Sequence, residues 1–234
     1  MYHKELSMFQ SIRNKVLILF FLIISINVSA QYHYASYNYY TLGVKGGYDI
    51  YNYSFDKSQQ ISYEMRPNFS FGVSGGLYLS YLFELHADLR YSIRNFNIRW
   101  DYPHDPSGMI PALSEYQLSY IQVPIQARIN ALYFNWVKLN IGVGLMPEFR
   151  LRPSETITYQ NGSTSESQKT WLTKNFSSVL LAVPISANLK FNLSRHVAIE
   201  ISANYYYYFN KMHTEYMTKP GSAFGFYTGI YYDW

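Results

Sequence analysis

The chain contains no cysteine, and this absence excludes several kinds of structure and chemistry. Disulfide scaffolds, thiolate metal sites, cysteine nucleophiles and lipid-modified N-terminal cysteines all require the missing residue. An exported protein without cysteine must therefore be stabilised by its core, its sheet or its membrane.

Charge is also sparse. Charged residues make up 15% of the 234 residues, whereas ordinary soluble domains contain about 25%. Aromatic residues reach 19%, with 26 tyrosines, which is the opposite of a disordered composition. The net charge of +4 is not concentrated in one basic stretch, so we expect no nucleic-acid partner.

An apolar run occurs near the start of the chain. The run Val16–Ile24 follows a basic stretch and leads to Val28-Ser29-Ala30, which offers small residues where a signal peptidase cuts. The run is short for a membrane span. We therefore predict a signal peptide at residues 1–30, with translation starting at Met1 or at Met8.

The rest of the chain alternates between apolar and polar residues with a period of two. In the clearest stretch, Phe83–Arg94, apolar residues occupy the odd positions and mostly polar or charged residues the even ones. This period is the mark of β-strands with two different faces. The eight predicted strands cover residues 41–49, 69–80, 83–94, 121–130, 137–145, 179–189, 197–205 and 224–234.

The connections between these strands are alternately long and short. The combination of an even strand number with alternating connections predicts an eight-stranded antiparallel up-and-down transmembrane β-barrel at residues 41–234, in the bacterial outer membrane. Short turns then lie in the periplasm together with both termini and a short segment at 31–40, and four long loops are extracellular. The predicted loops are residues 52–67, 101–115, 152–174 and 210–221.

The composition of the polar face distinguishes a membrane barrel from a soluble one. That face is mostly Gly, Ser, Asn and Gln with few charges, which fits a narrow barrel packed with side chains and without an open pore. Aromatic residues gather at strand ends, and we interpret them as two girdles at the membrane interfaces. The girdle residues include Tyr40 and Trp136 at one end, and Tyr51, Trp100 and Tyr116 at the other.

Three segments have a distinctive composition: Tyr120–Arg128 has an apolar-Pro-apolar centre, and Gly43–Gly47 and Gly142–Pro147 are rich in glycine. These segments resemble the PorT-like outer-membrane β-barrel proteins of Bacteroidetes. The ending Tyr231–Trp234 is similar to the terminal aromatic signal read by the barrel-assembly machinery. The resemblance implies an outer-membrane barrel with Trp234 as its assembly signal. Some relatives serve protein secretion, but the resemblance leaves the extracellular or secretion partner open.

Charged residues on the polar face form the main candidate site. Glu84, His86, Asp88 and Arg90 alternate along one strand, and such neighbours lie about 7 Å apart. One interpretation is a metal or acid–base site. The other is an ion-paired network that fills the lumen, because unpaired buried charges are costly; it needs no cofactor or metal. The network hypothesis includes Glu84, His86, Asp88, Arg90, Arg94, Arg128, Lys138, Lys190 and Glu200.

Polar loop residues allow a second hypothesis, an outer-membrane enzyme that modifies lipids. Its candidate residues are His104 with Asp101, Asp105 and Ser107, or His213 with Glu215 and Ser222, although neither set has a recognised spacing.

We expect a non-enzymatic barrel that contacts membrane lipid and has a structural, binding or assembly role through its extracellular loops. A third hypothesis is a soluble exported barrel that encloses an apolar ligand.

Overall fold

The computed structural model describes most of the predicted barrel. The predicted signal peptide at residues 1–30, and all but the last residue of the segment at 31–40, lie outside the described residues. Within the described part, no helix is long and apolar enough to cross a membrane. The described ranges are 40–55, 61–66, 68–100, 107–108, 110–134, 136–151, 153–167, 176–213 and 217–234.

In the described part of the chain, twelve β-strands make up a single antiparallel sheet. They are β1 (Tyr40–Phe55), β2 (Ile61–Met65), β3 (Asn68–Tyr78), β4 (Phe83–Trp100), β5 (Pro111–Gln122), β6 (Ile125–Tyr133), β7 (Val137–Arg150), β8 (Ser154–Tyr159), β9 (Thr164–Ser167), β10 (Val179–Asn192), β11 (Val197–Tyr208) and β12 (Met217–Asp233).

Eight of these strands close into a ring. Its order is β1, β3, β4, β6, β7, β10, β11 and β12, and β12 pairs back onto β1. Closure satisfies the backbone hydrogen bonds within the sheet, which a strand in lipid requires because hydrocarbon offers no partner. The ring supports the predicted eight-stranded architecture, but the complete sheet is larger.

The additional strands continue the ring strands beyond the barrel wall. β5 leads into β6 through a break at Val123 and Pro124, where proline has no N–H to donate. The sheet remains joined there because the Val123 amide donates to the Pro147 carbonyl and the Asp88 amide to the Pro124 carbonyl, each at 3.0 Å. In the same way β2 precedes β3, and β8 follows β7.

Several segments predicted as loops are therefore partly strands. β2, β8, β9 and the first residues of β5 and β12 lie inside the four predicted loop ranges. β8 and β9 form a hairpin around Asn161-Gly162, where Gly162 has a φ of 81° that glycine adopts without strain. Polar composition was a poor guide to loop boundaries because cross-strand backbone bonds can persist in polar segments.

The two faces of the ring are chemically opposite. Leu42, Val44 and Val143 are exposed on the outside, whereas Lys45 and Arg90 are buried inside. A soluble barrel enclosing an apolar ligand needs the reverse arrangement, so the structure argues against that hypothesis.

The barrel has two distinct ends. Tyr40 and Trp234 exchange backbone hydrogen bonds at the end that we call the terminal end, where the short turns 79–82 and 193–196 also lie. The β8–β9 hairpin and the strand ends that lead into the predicted long loops are at the opposite end, which we call the loop end.

The aromatic girdle prediction is only partly correct. At the terminal end Tyr40 and Trp136 are exposed on the outer face, as predicted. At the loop end Phe149, which was also predicted in the girdle, is exposed on the outer face. In contrast, Tyr51 and Tyr116 are only 4% and 2% exposed, and Trp100 is also buried. Strand alternation turns these three rings inward, so they fill the barrel instead of facing lipid.

Candidate functional site in the barrel interior

β4 supplies a row of side chains that runs along the barrel interior. Its inward positions carry Glu84, His86, Asp88 and Arg90 and continue to Arg94. The row exists because alternate residues of a strand point to the same face. All five side chains are buried, and each contacts other groups inside the barrel.

His86 lies between two carboxylates of its own strand. Its Nδ1 is 2.8 Å from Oε1 of Glu84, and its Nε2 is 2.9 Å from Oδ1 of Asp88. Each ring nitrogen is therefore within hydrogen-bond distance of a carboxylate oxygen. His86 thereby bridges the two carboxylates of its strand.

Two cations balance these carboxylates together with Glu200. Nζ of Lys45 lies 3.7 Å from Asp88 and 3.6 Å from Glu200. Nη1 of Arg128 lies 3.2 Å from Glu200 and 3.8 Å from Glu84. Buried charges are tolerated when they are paired in this way, and the four strands β1, β4, β6 and β11 are joined through the cluster.

A smaller polar group lies at the terminal end. Nζ of Lys190 donates to Oδ1 of Asp233 at 2.6 Å. The neighbouring Lys138 lies in register with Lys190, and its ammonium group is 5.0 Å from the centre of the Tyr78 ring and 4.8 Å from that of Tyr133. Lys138 is thus stabilised by cation–π contacts and by electrostatic attraction to Asp233 and Glu84.

Towards the loop end, the buried charged groups are bound mainly by tyrosines. Nη1 of Arg90 donates to the Tyr206 hydroxyl at 3.1 Å, and its guanidinium lies 4.5 Å from the centre of the Tyr227 ring. The Tyr206 hydroxyl donates to that of Tyr227, which in turn donates to Asp49. This chain couples Arg90 to Asp49 through two phenol groups.

Arg94 and the groups around it fill the next cross-section of the lumen towards the loop end. Its guanidinium binds Glu148 and lies 4.2 Å and 4.3 Å from the ring centres of Tyr51 and Tyr120. The Tyr208 hydroxyl also donates to Glu148, at 2.9 Å. Charge and aromatic surface therefore fill this cross-section together.

An aromatic layer follows at the loop end of the interior. The rings of Phe96 and Tyr116 stack with centres 4.9 Å apart, and Phe176 lies 5.7 Å from each. The His213 ring packs edge-on against Phe176 at 4.7 Å, and Met212 and Met217 belong to the same buried cluster of side chains.

All nine residues of the network hypothesis are buried on the inward face, but four partners were missed. Lys45, Asp49, Glu148 and Asp233 are buried with them. Their inward positions in β1, β7 and β12 could have been predicted from the sequence, because each residue continues the alternation of its strand. The pairing of Arg94 with Glu148 and of Lys190 with Asp233 was not predicted.

The structure places only some of the residues named in the catalytic hypotheses. Within the described residues no cluster of His, Asp and Glu side chains is arranged to hold a metal ion. His213 is buried in the aromatic layer, Ser107 is exposed and Ser222 is half-buried in β12. The remaining enzyme candidates, His104, Asp101, Asp105 and Glu215, lie outside the described residues.

Comparison with known families agrees with the architecture. The model of the outer membrane protein beta-barrel domain matches residues 29–214. The chain belongs to this family. Membership identifies it as an integral barrel protein of the bacterial outer membrane.

Several solved structures are similar to the chain at low sequence identity. The outer membrane protein OprG of Pseudomonas aeruginosa is 8% identical over 85% of this chain and 98% of its own, with a TM-score of 0.50. Neisserial surface protein A is 12% identical over 83% and 97%, with a TM-score of 0.46. Ail of Yersinia pestis is 11% identical over 83% and 98%, with a TM-score of 0.40. No curated protein sequence matches the chain.

Proposed function

We propose that this protein is a sealed outer-membrane barrel that has a structural, binding or assembly role through the segments at its loop end. The observation that supports the proposal is the filled interior. Ion pairs, tyrosines and the aromatic layer follow one another from Lys190 to Phe176, and eight strands enclose little more than packing space.

The loop end is the functional end in this proposal. The sheet continues there as β2, β8 and β9, and residues 161–166 around the hairpin turn are exposed. In outer-membrane barrels the longer connections face the outside and the short turns face the periplasm. The proposal therefore places the loop end on the cell surface and both barrel termini in the periplasm.

The PorT-like subgroup is part of the same proposal. Its support is the strand break at Pro124, where the apolar-Pro-apolar segment joins β5 to β6. A secretion role and the partner of the loops are left open, and the proposed assembly signal is Trp234, which is exposed beside Tyr40 at the terminal end.

The absence of cysteine allows a clean test of the orientation. Thr164→Cys places a thiol on the exposed hairpin, and Arg195→Cys places one in an exposed turn at the terminal end. On intact cells a membrane-impermeant maleimide should label only Thr164→Cys. After permeabilisation of the outer membrane it should label both. Labelling of Arg195→Cys alone on intact cells would contradict the proposed orientation.

A further inference from the structure

The outer face of the barrel carries an apolar groove. It has a volume of about 760 Å³ and runs across strands β11, β12, β1 and β3 around Gly46. The outward side chains that line it are aliphatic or aromatic except for one threonine: Val44, Phe71, Val73, Ile199, Thr228 and Ile230. Lys45 also lines it, but the Lys45 side chain is buried and its ammonium group lies 3.7 Å from Asp88 and 3.6 Å from Glu200 in the interior.

Gly46 leaves room in the groove because it has no side chain. A Cβ atom at Gly46 would lie 3.9 Å from the Ser70 carbonyl oxygen and 4.0 Å from Cβ of Phe71, which are ordinary contact distances. The described glycines with positive φ are at other positions. Neither backbone geometry nor packing therefore requires glycine here.

An inward glycine of the same strand behaves differently. A Cβ at Gly43 would approach the Ile230 carbonyl oxygen to 2.5 Å and the Tyr231 ring to 2.6 Å, so close packing accounts for that glycine. At Gly46 the vacant volume faces outward, on the surface that contacts the membrane.

The depth of the groove restricts what can fill it. Gly46 lies six residues along β1 from Tyr40, the exposed aromatic residue at the terminal end. Six residues of strand span about 20 Å, or about 14 Å along the membrane normal at a tilt of about 45°. Since the hydrocarbon core is about 30 Å thick, the groove lies near its centre.

We infer that the groove around Gly46 is a binding site for a lipid acyl chain. It is continuous with the lipid-facing surface of an outer-membrane barrel, and at this depth hydrocarbon tails are the surrounding medium. Its aliphatic walls match a methylene chain and offer nothing to a polar head group. A volume of this size falls in the range of about 300–1,000 Å³ that is usual for small-molecule sites.

The test fills the groove without changing the inward face. Gly46→Leu places a side chain in the vacant volume, and Gly46→Val is a second variant with a residue that strands favour. Ala127→Leu is the matched control, because Ala127 is exposed on β6 on the other side of the barrel. Heat-modifiable gel migration selects the variants that fold.

The probe is a phosphatidylethanolamine and phosphatidylglycerol vesicle whose lipids carry a diazirine at the middle of one acyl chain. After photolysis, mass spectrometry of the wild-type barrel should find the label concentrated on residues 40–50, 68–78 and 223–233. Gly46→Leu should reduce this labelling at least fivefold, and Ala127→Leu should leave it unchanged.

Two results would overturn the inference. One is labelling that is spread evenly over all outward-facing strands and is insensitive to Gly46→Leu. The other is cross-linking of one barrel to another through the groove, because a second copy of the chain would then be its occupant.

Discussion

Arg94 and Glu148 form an ion pair that joins β4 to β7 across the barrel interior. The two strands are not neighbours at this height, since β5 pairs with both. Arg94 is 2% exposed and Glu148 is fully buried, and the rings of Tyr51 and Tyr120 flank the guanidinium. The pair therefore bridges two strands that are separated in the sheet by β5, and it fills part of the lumen at this level.

Removing one member of this pair should be costly. Arg94→Ala leaves the Glu148 carboxylate buried without its guanidinium, and we expect the free energy of unfolding to fall by about 3–5 kcal/mol. Urea unfolding in lipid vesicles measures the change. The control is Arg66→Ala, which breaks an exposed pair with Glu115 and should cost less than about 1 kcal/mol. Equal losses in the two variants would contradict the assigned role of Arg94.

His86 should contribute through the polar contacts of its two ring nitrogens with Glu84 and Asp88. His86→Phe keeps a ring but removes both nitrogens and leaves the buried carboxylates without this partner, so we expect the free energy of unfolding to fall by about 1–3 kcal/mol. His86→Gln keeps an amide donor for one carboxylate and should lose less. A His86→Phe barrel as stable as the wild type would show that the His86 bridge is unimportant.

A charged residue on the outer face near the middle of the membrane should destabilise the barrel. Val143 is exposed at the lipid-facing surface of β7, and Val143→Arg should destabilise the barrel in vesicles by about 2–4 kcal/mol. Thr164→Arg, on the hairpin beyond the barrel wall, should change stability by less than about 0.5 kcal/mol. If both variants unfold at the wild-type urea concentration, Val143 does not face lipid.

Trp234 should affect assembly in cells more than stability. We expect Trp234→Ala to lower the amount of folded barrel in the outer membrane several-fold and Trp234→Phe to restore it, as the resemblance to terminal aromatic signals implies. Refolding of purified Trp234→Ala in detergent should be unaffected. Trp136→Ala, which changes an exposed tryptophan in a turn at the same end, is the control. Equal assembly defects in Trp234→Ala and Trp136→Ala would argue against a specific signal.

The sequence predicted the ring because each strand has one face suited to lipid and one face suited to the polar interior. In β4 the charged residues from Glu84 to Arg94 alternate with apolar ones. Outward residues must be apolar because they face lipid, and inward residues must be polar because they pack in the lumen. Since successive residues of a strand point to opposite faces, a period of two shows which face each residue occupies.

The cross-barrel partners and the loop-end aromatics were beyond such reasoning. Whether Arg94 meets Glu148 or Glu200 depends on the relative heights of strands that are distant in the chain, and alternation within one strand does not determine these heights. Tyr51 and Tyr116 are aromatic residues at strand ends, where girdles are common. Alternation along the strands was sufficient to predict that these rings point inward. It was not sufficient to predict that they pack together as an apolar layer inside the barrel.

The measurement that tests the sealed barrel most directly is the conductance of the purified, refolded protein in a planar lipid bilayer. The account predicts no reproducible conductance steps for the wild type, because ion pairs and stacked rings fill the lumen from Lys190 to Phe176. Arg94→Ala, where it folds, tests whether that level contributes to the seal. Stable single-channel openings of the wild-type barrel, at a frequency that scales with the amount of protein, would contradict the central claim.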